Sequence, residues 1–138
     1  MIEKGVHEIS PGEVIEIREE ATGARIPVLE ISTSGEVDKV AFFDAVGESI
    51  PLSPPLGPIR NWDGLSDSMW NGIYEMKSPR VVIIWADSQP TAAASGDFYV
   101  ELVTFKELVG TLGDPRYTQG RPVELSVYLA APSAAAGS

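Results

Sequence analysis

Apolar positions along the chain fall into short runs whose spacing changes from one segment to the next. Residues 14–17 and 26–31 are rich in β-favouring side chains, with Ala21-Thr22-Gly23 between them as a turn. VIEIREEATGARIPVLEI therefore reads as a β-hairpin, and Pro27 suits its second strand to a sheet edge. Thr33 and Glu36 have the T-x-x-E spacing of a capping box. Val37, Val40, Ala41 and Ala45 then recur at helical intervals beside Phe42 and Phe43, which predicts a helix ending near Gly47. Pro51, Pro54, Pro55 and Pro58 make residues 48–60 a loop. Asn61 can cap a second helix from Trp62 to about Trp70, with Asn71-Gly72 as its stop.

The second half alternates strand and helix. Val81, Val82, Ile83, Ile84 and Trp85 are apolar on both faces, as in a buried parallel strand. Residues 87–96 contain Thr-Ala-Ala-Ala-Ser and read as a connection. Phe98, Leu102, Phe105, Val109 and Leu112 then have helical spacing across residues 97–112. Val123, Leu125, Val127 and Leu129 alternate with Glu124, Ser126 and Tyr128 in a final strand, and the small-residue tail 130–138 is expected to be disordered. The order hairpin, helix, helix, strand, helix, strand predicts an α/β fold with a small parallel sheet. No repeat interrupts residues 25–129.

Composition narrows the function more than the fold. A length of 138 residues fits one domain, and 43% hydrophobic residues are enough for a real core. Twenty acidic against ten basic side chains give a formal charge of −10, which argues against direct binding of nucleic acid and favours a cationic partner or plain solubility. With no cysteine there is no disulfide framework and no thiolate chemistry. MIEKGVHEISPGEV lacks an apolar signal core, and the run VVIIWA is too short to span a bilayer, so a soluble cytoplasmic protein without membrane contact is expected. The single histidine, His7, falls in a segment expected to be loose, and no phosphate-binding, zinc-binding or nucleophile motif is present. Neither metal nor cofactor is expected.

The most informative stretch is RNWDGLSDSMW, residues 60–70. Asp63 and Asp67 are four apart, so on a helix both carboxylates share a face, while Leu65 and Met69 form the opposing apolar stripe. Like charges at that spacing repel, by roughly 0.2–0.5 kcal/mol, and the helix dipole offsets part of the cost only near the N-terminus. Three roles remain open for the pair: a solvated acidic face, an acid/base catalytic couple, or a recognition element that presents carboxylates where a cationic site expects phosphate oxygens.

IRNWDGLSDSMW resembles the signature of the barstar family, in which a loop leads into an acidic helix that plugs a ribonuclease active site. VVIIW resembles that family's apolar strand ending in Trp, Thr104-Phe105-Lys106-Glu107 its third-helix segment, and VELSVYL its last strand. The resemblance covers residues 25–129. It implies a three-stranded parallel sheet flanked by helices, to which residues 1–24 would add a hairpin strand. It also implies that the chain is not an enzyme but a monomer that blocks a secreted, cationic, guanyl-type ribonuclease in a one-to-one complex. On that resemblance Asn61 starts the inhibitory helix, Asp63 and Asp67 are its enzyme-contacting aspartates, and Glu107 is the supporting third-helix glutamate. Gly57 belongs to the loop that enters the cleft, and Trp62 or Trp70 is an aromatic anchor with core or rim packing as the other role. Ser66 stands where the family carries an interface Trp, and the loop before the helix is proline-stiffened and lacks a Tyr. That altered loop favours the alternative, a barstar-fold module for a different toxin or a non-nuclease protein.

Overall fold

The computed structural model describes residues 2–58, 61–88 and 96–130. The described residues form four strands, β1 (Gly5–Ile9), β2 (Val28–Ile31), β3 (Arg80–Trp85) and β4 (Glu124–Ala130), and four helices, α1 (Pro11–Gly23), α2 (Lys39–Ser49), α3 (Trp62–Glu75) and α4 (Gly96–Leu112), in the order β1-α1-β2-α2-α3-β3-α4-β4. The sheet is parallel throughout, in the order β1-β4-β3-β2. The α/β class and the parallel sheet agree with the sequence pattern. The number of strands does not: the sheet has four, and the fourth is not part of a hairpin.

The expected N-terminal hairpin is replaced by a strand, a helix and a strand. Val14, Ile17 and Ala21 are the buried positions of 11–23, spaced three and four apart, which is a helical stripe and not a strand alternation. Ser10 supplies the start. Its N–H and its hydroxyl both donate to the Glu13 carboxylate, at 3.0 and 2.9 Å, and Pro11 occupies the first helical position, where a missing N–H costs nothing. Those two donors from Ser10 hold Glu13 below the ordinary carboxylate range. Only residues 28–31 of the expected second strand are extended, as β2 at one sheet edge. His7 is not in a loose segment either: it lies in β1, its ring stacked on Tyr128 with centroids 5.2 Å apart.

The sheet separates two apolar layers. Val81, Ile83 and Trp85 of β3 and Leu125, Val127 and Leu129 of β4 face α2, α3 and α4; Val82, Ile84, Tyr128 and Ala130 face α1. Both central strands are thus apolar on both sides, as strands covered by helices on each face must be. Ala130, the expected beginning of the tail, is the buried last residue of β4; residues 131–138 lie outside the described residues.

Helix starts decide where the site falls. α2 is capped not by Thr33 but by Asp38, whose carboxylate accepts from the Ala41 N–H at 2.9 Å. Ser34 and Gly35 take positive φ, 56° and 82°, so Thr33 to Glu36 turns instead of starting a helix. The buried Thr33 hydroxyl accepts the Trp85 indole N–H at 3.1 Å. Asn61 does cap α3, accepting from the Gly64 N–H at 2.7 Å. The helix continues past Gly72 to Glu75. Gly72 is a packing residue: a Cβ there would lie 1.8 Å from the Pro51 carbonyl oxygen, so only glycine allows the proline loop to cross α3 so closely. The Ser53 N–H donating to the Ser68 carbonyl (3.1 Å) and the Asn71 amide donating to the Ser53 carbonyl (3.1 Å) fasten that loop to the helix.

Candidate functional site

Buried Leu65, Met69 and Ile73 fix α3 with one face on the core, and buried Phe98, Phe105, Leu108 and Leu112 do the same for α4. The outer faces of the two helices meet along a groove of about 540 Å³. Trp62 and Asp63 at the start of α3 lie across it from Tyr99 and Val100 at the start of α4, and Trp70 reaches Thr111 with an indole N–H donated at 3.0 Å. The helices therefore run side by side in the same direction. Asp63 and Asp67 from one wall and Glu107 from the other line the groove, and among the described residues no Lys or Arg does.

All three carboxylates are exposed, and among the described residues none has an internal hydrogen bond or ion pair. Three acids elsewhere are matched, Glu30 with Arg18, Glu124 with Arg80, and Asp114 with Arg116. An acidic groove lined by three carboxylates without an ion-pair partner among the described residues is suited to accept cationic donors from outside, through charge-assisted hydrogen bonds. The buried Thr104 hydroxyl at its floor donates to the Val100 carbonyl at 2.8 Å, and among the described residues no group of three or more His, Asp or Glu side chains could hold a metal ion.

Asp67 is the centre of this face. It lines the main groove, the adjoining hollow of about 340 Å³ bounded by Trp70, Thr111 and Tyr117, and a third of about 300 Å³ that includes Gly57 and Asn61. The residues singled out by sequence thus gather on one side of the molecule, but in different conditions. Trp62 is half-buried, its ring 5.0 Å from Phe43 and 6.1 Å from Phe42, and Trp70 is half-buried and stacked at 5.0 Å on Tyr74. Trp62 lines the main groove and Trp70 the adjoining hollow. Gly57 is exposed and a side chain there would meet nothing within 4 Å, so no steric demand selects glycine at that point. Arg60, the last residue of the loop, lies outside the described residues, as do residues 89–95 of the expected connection.

Tyr99, Val100, Val103 and Thr104 also line the groove and escaped the sequence reading. The signal was present: Tyr99, Val103 and Glu107 are four apart and share one stripe of α4. One further carboxyl, Glu101, is placed differently. It is buried, neither oxygen has a hydrogen-bond partner, and it does not line the groove. Burial, and then the nearby Asp97 and Asp38 charges, push it up to about 9.

No family model, curated protein or solved structure matches the chain. The family resemblance therefore rests on the residues quoted for it. No helix among the described residues is long and apolar enough to cross a membrane.

Proposed function

We propose that the chain is a barstar-like inhibitor of a secreted, cationic, guanyl-type ribonuclease, acting by stoichiometric occlusion of the active site and not by catalysis. The observation that carries this reading is the convergence of Asp63, Asp67 and Glu107, from two helices, on one groove that no cation among the described residues lines. A ribonuclease cleft is built from Arg and Lys to hold phosphate oxygens, and carboxylates fixed on rigid helices can take the same donors without being cleaved. Asp67 is the central anion, Asp63 and Glu107 its supports. Asn61 sets the first turn of α3, Gly57 belongs to the loop entering the cleft, and Trp62 and Trp70 bound the contact. The charge of −10 accelerates encounter with a cationic enzyme.

A panel of secreted guanyl-specific ribonucleases, each titrated with the chain, tests this. Turnover of at least one should fall linearly to zero at one equivalent. If no panel member is inhibited or binds in calorimetry, the second reading takes its place: a module of the same kind directed at another cationic toxin or a non-nuclease protein. Ser66 in place of an interface Trp and the proline-rich loop at Gly57 favour that alternative.

A further inference from the structure

Carboxylates alone attract any cation, and an acidic groove does not distinguish arginine from lysine. What could distinguish them stands at its two ends. Tyr99 is 66% exposed and Tyr117 is 60% exposed, whereas the other strongly exposed large apolar side chains, Ile15 and Val40, lie on α1 and α2. Tyr99 lines the main groove and Tyr117 the adjoining hollow, and the two spaces share Ser66, Asp67 and Glu107. They form one trough with a tyrosine at each end and acids between. The Tyr99 ring has no ring or cation contact among the described residues, and the Tyr117 ring has only the loose approach of Arg116 at 5.9 Å.

We infer that Tyr99 and Tyr117 make this acidic face selective for arginine, each ring receiving the flat guanidinium of a partner arginine whose N–H groups reach Asp67, Asp63 or Glu107. This rests on the proposed reading that the partner is cationic, and adds which cation it presents. A guanidinium is planar, weakly hydrated and able to lie on a ring while its edge donates to a carboxylate; a lysine ammonium is a hydrated point charge that cannot do both as well. The chain uses this geometry internally: the Arg121 guanidinium stands 4.0 Å from the centre of the Tyr74 ring while donating to the Tyr74 carbonyl at 3.2 Å. Arg116, 5.9 Å from the Tyr117 ring, is forked onto Asp114 and leaves the acids of the trough uncompensated.

Capped octa-arginine and octa-lysine peptides of equal charge, titrated into the full chain by calorimetry at low salt, separate the two contributions. Octa-arginine should bind more tightly, by roughly threefold or more. Replacing both tyrosines (Tyr99→Ser with Tyr117→Ser) should abolish the preference while leaving octa-lysine affinity nearly unchanged, and Tyr99→Phe with Tyr117→Phe should preserve it. Asp63→Asn with Asp67→Asn should weaken both peptides together. Equal affinity of the unmodified chain for the two peptides would overturn the inference, as would a preference that survives in the serine variant or binding untouched by the aspartate changes. The ribonuclease panel reads independently. Arginine selectivity with no enzyme inhibited would sink the inhibitor reading alone, and inhibition without selectivity would sink only the role of the tyrosines.

Discussion

Glu101 sits in α4 with its carboxyl buried, both oxygens unpartnered, Asp97 one turn earlier on the same helix, and Asp38 at the start of α2. Both aspartates are engaged with backbone: Asp97 accepts the Lys39 N–H at 2.9 Å and Asp38 the Ala41 N–H at 2.9 Å. Ionising Glu101 would add a third negative charge without water, so its proton is retained up to about pH 9 against an ordinary value of 4.5. The unfolded chain loses that proton near 4.5 and the folded chain keeps it, so stability falls as pH rises between the two values. The slope is about 1.4 kcal/mol per unit, giving a loss on the order of 3 kcal/mol by pH 7. That is a large share of the roughly 5–15 kcal/mol that holds a small domain together. Glu101→Gln has nearly the same shape and cannot titrate. Urea unfolding followed by tryptophan fluorescence, repeated from pH 4 to 9, should give similar stabilities for the two proteins at the acid end. From about pH 5 upward they should diverge, with the variant more stable by about 3 kcal/mol at pH 7 and the denaturant slope unchanged. Parallel pH profiles would refute the reasoning, since they would mean that the folded chain gives the carboxyl water or a partner.

Three further outcomes follow from the architecture. Asn61→Ala removes the acceptor for the Gly64 N–H and should cost about 1 kcal/mol of unfolding free energy in the same urea assay. Gly72→Ala improves helix propensity but drives a methyl group into the Pro51 carbonyl, so it should destabilise by about 1–3 kcal/mol; a stabilised variant would show that the proline loop yields freely. The association rate with an inhibited ribonuclease should drop steeply with added salt while dissociation changes little, and a salt-independent on-rate in stopped flow would remove the steering role of the −10 charge.

Local chemistry made some elements legible in the sequence. Asn61 with the buried series Leu65, Met69 and Ile73 defines α3 by cap and stripe together, and the unbroken Val81 to Trp85 run permits little but a covered strand. The N-terminal third was harder because Val14-Ile15-Glu16-Ile17 is short enough to satisfy both a two-residue and a helical period. Ser10-Pro11-Gly12-Glu13 resolves it, since a cap, a proline at the first turn and an acid three residues on belong to a helix start. β1 left almost no trace: five residues at a sheet edge, with only half-buried positions and an exposed Glu8, carry little apolar pattern. For α2, two acceptors competed within six residues, and the turn at Ser34 and Gly35 placed the helix start at Asp38. Within the candidate site, the Asp63 and Asp67 pair follows from spacing alone. Its partnership with Tyr99 and Val103 depends on which helix α4 packs against, and that is set by the sheet and not by either helix.

The central claim, that the α3–α4 groove exists to bind a cationic active site, turns on Asp67. The most direct measurement takes Asp67→Ala through two assays: affinity for the ribonuclease that the unmodified chain inhibits, and unfolding in urea. Removing this carboxylate would leave a desolvated Arg or Lys of the enzyme unpaired, so binding should weaken by about 2–5 kcal/mol, with Asp63→Ala and Glu107→Ala costing less. Stability should stay within about 0.5 kcal/mol of the unmodified chain or rise, because an exposed like charge four residues from Asp63 is gone. A variant that unfolds far more easily yet inhibits as well as before would make Asp67 a structural residue and contradict the account.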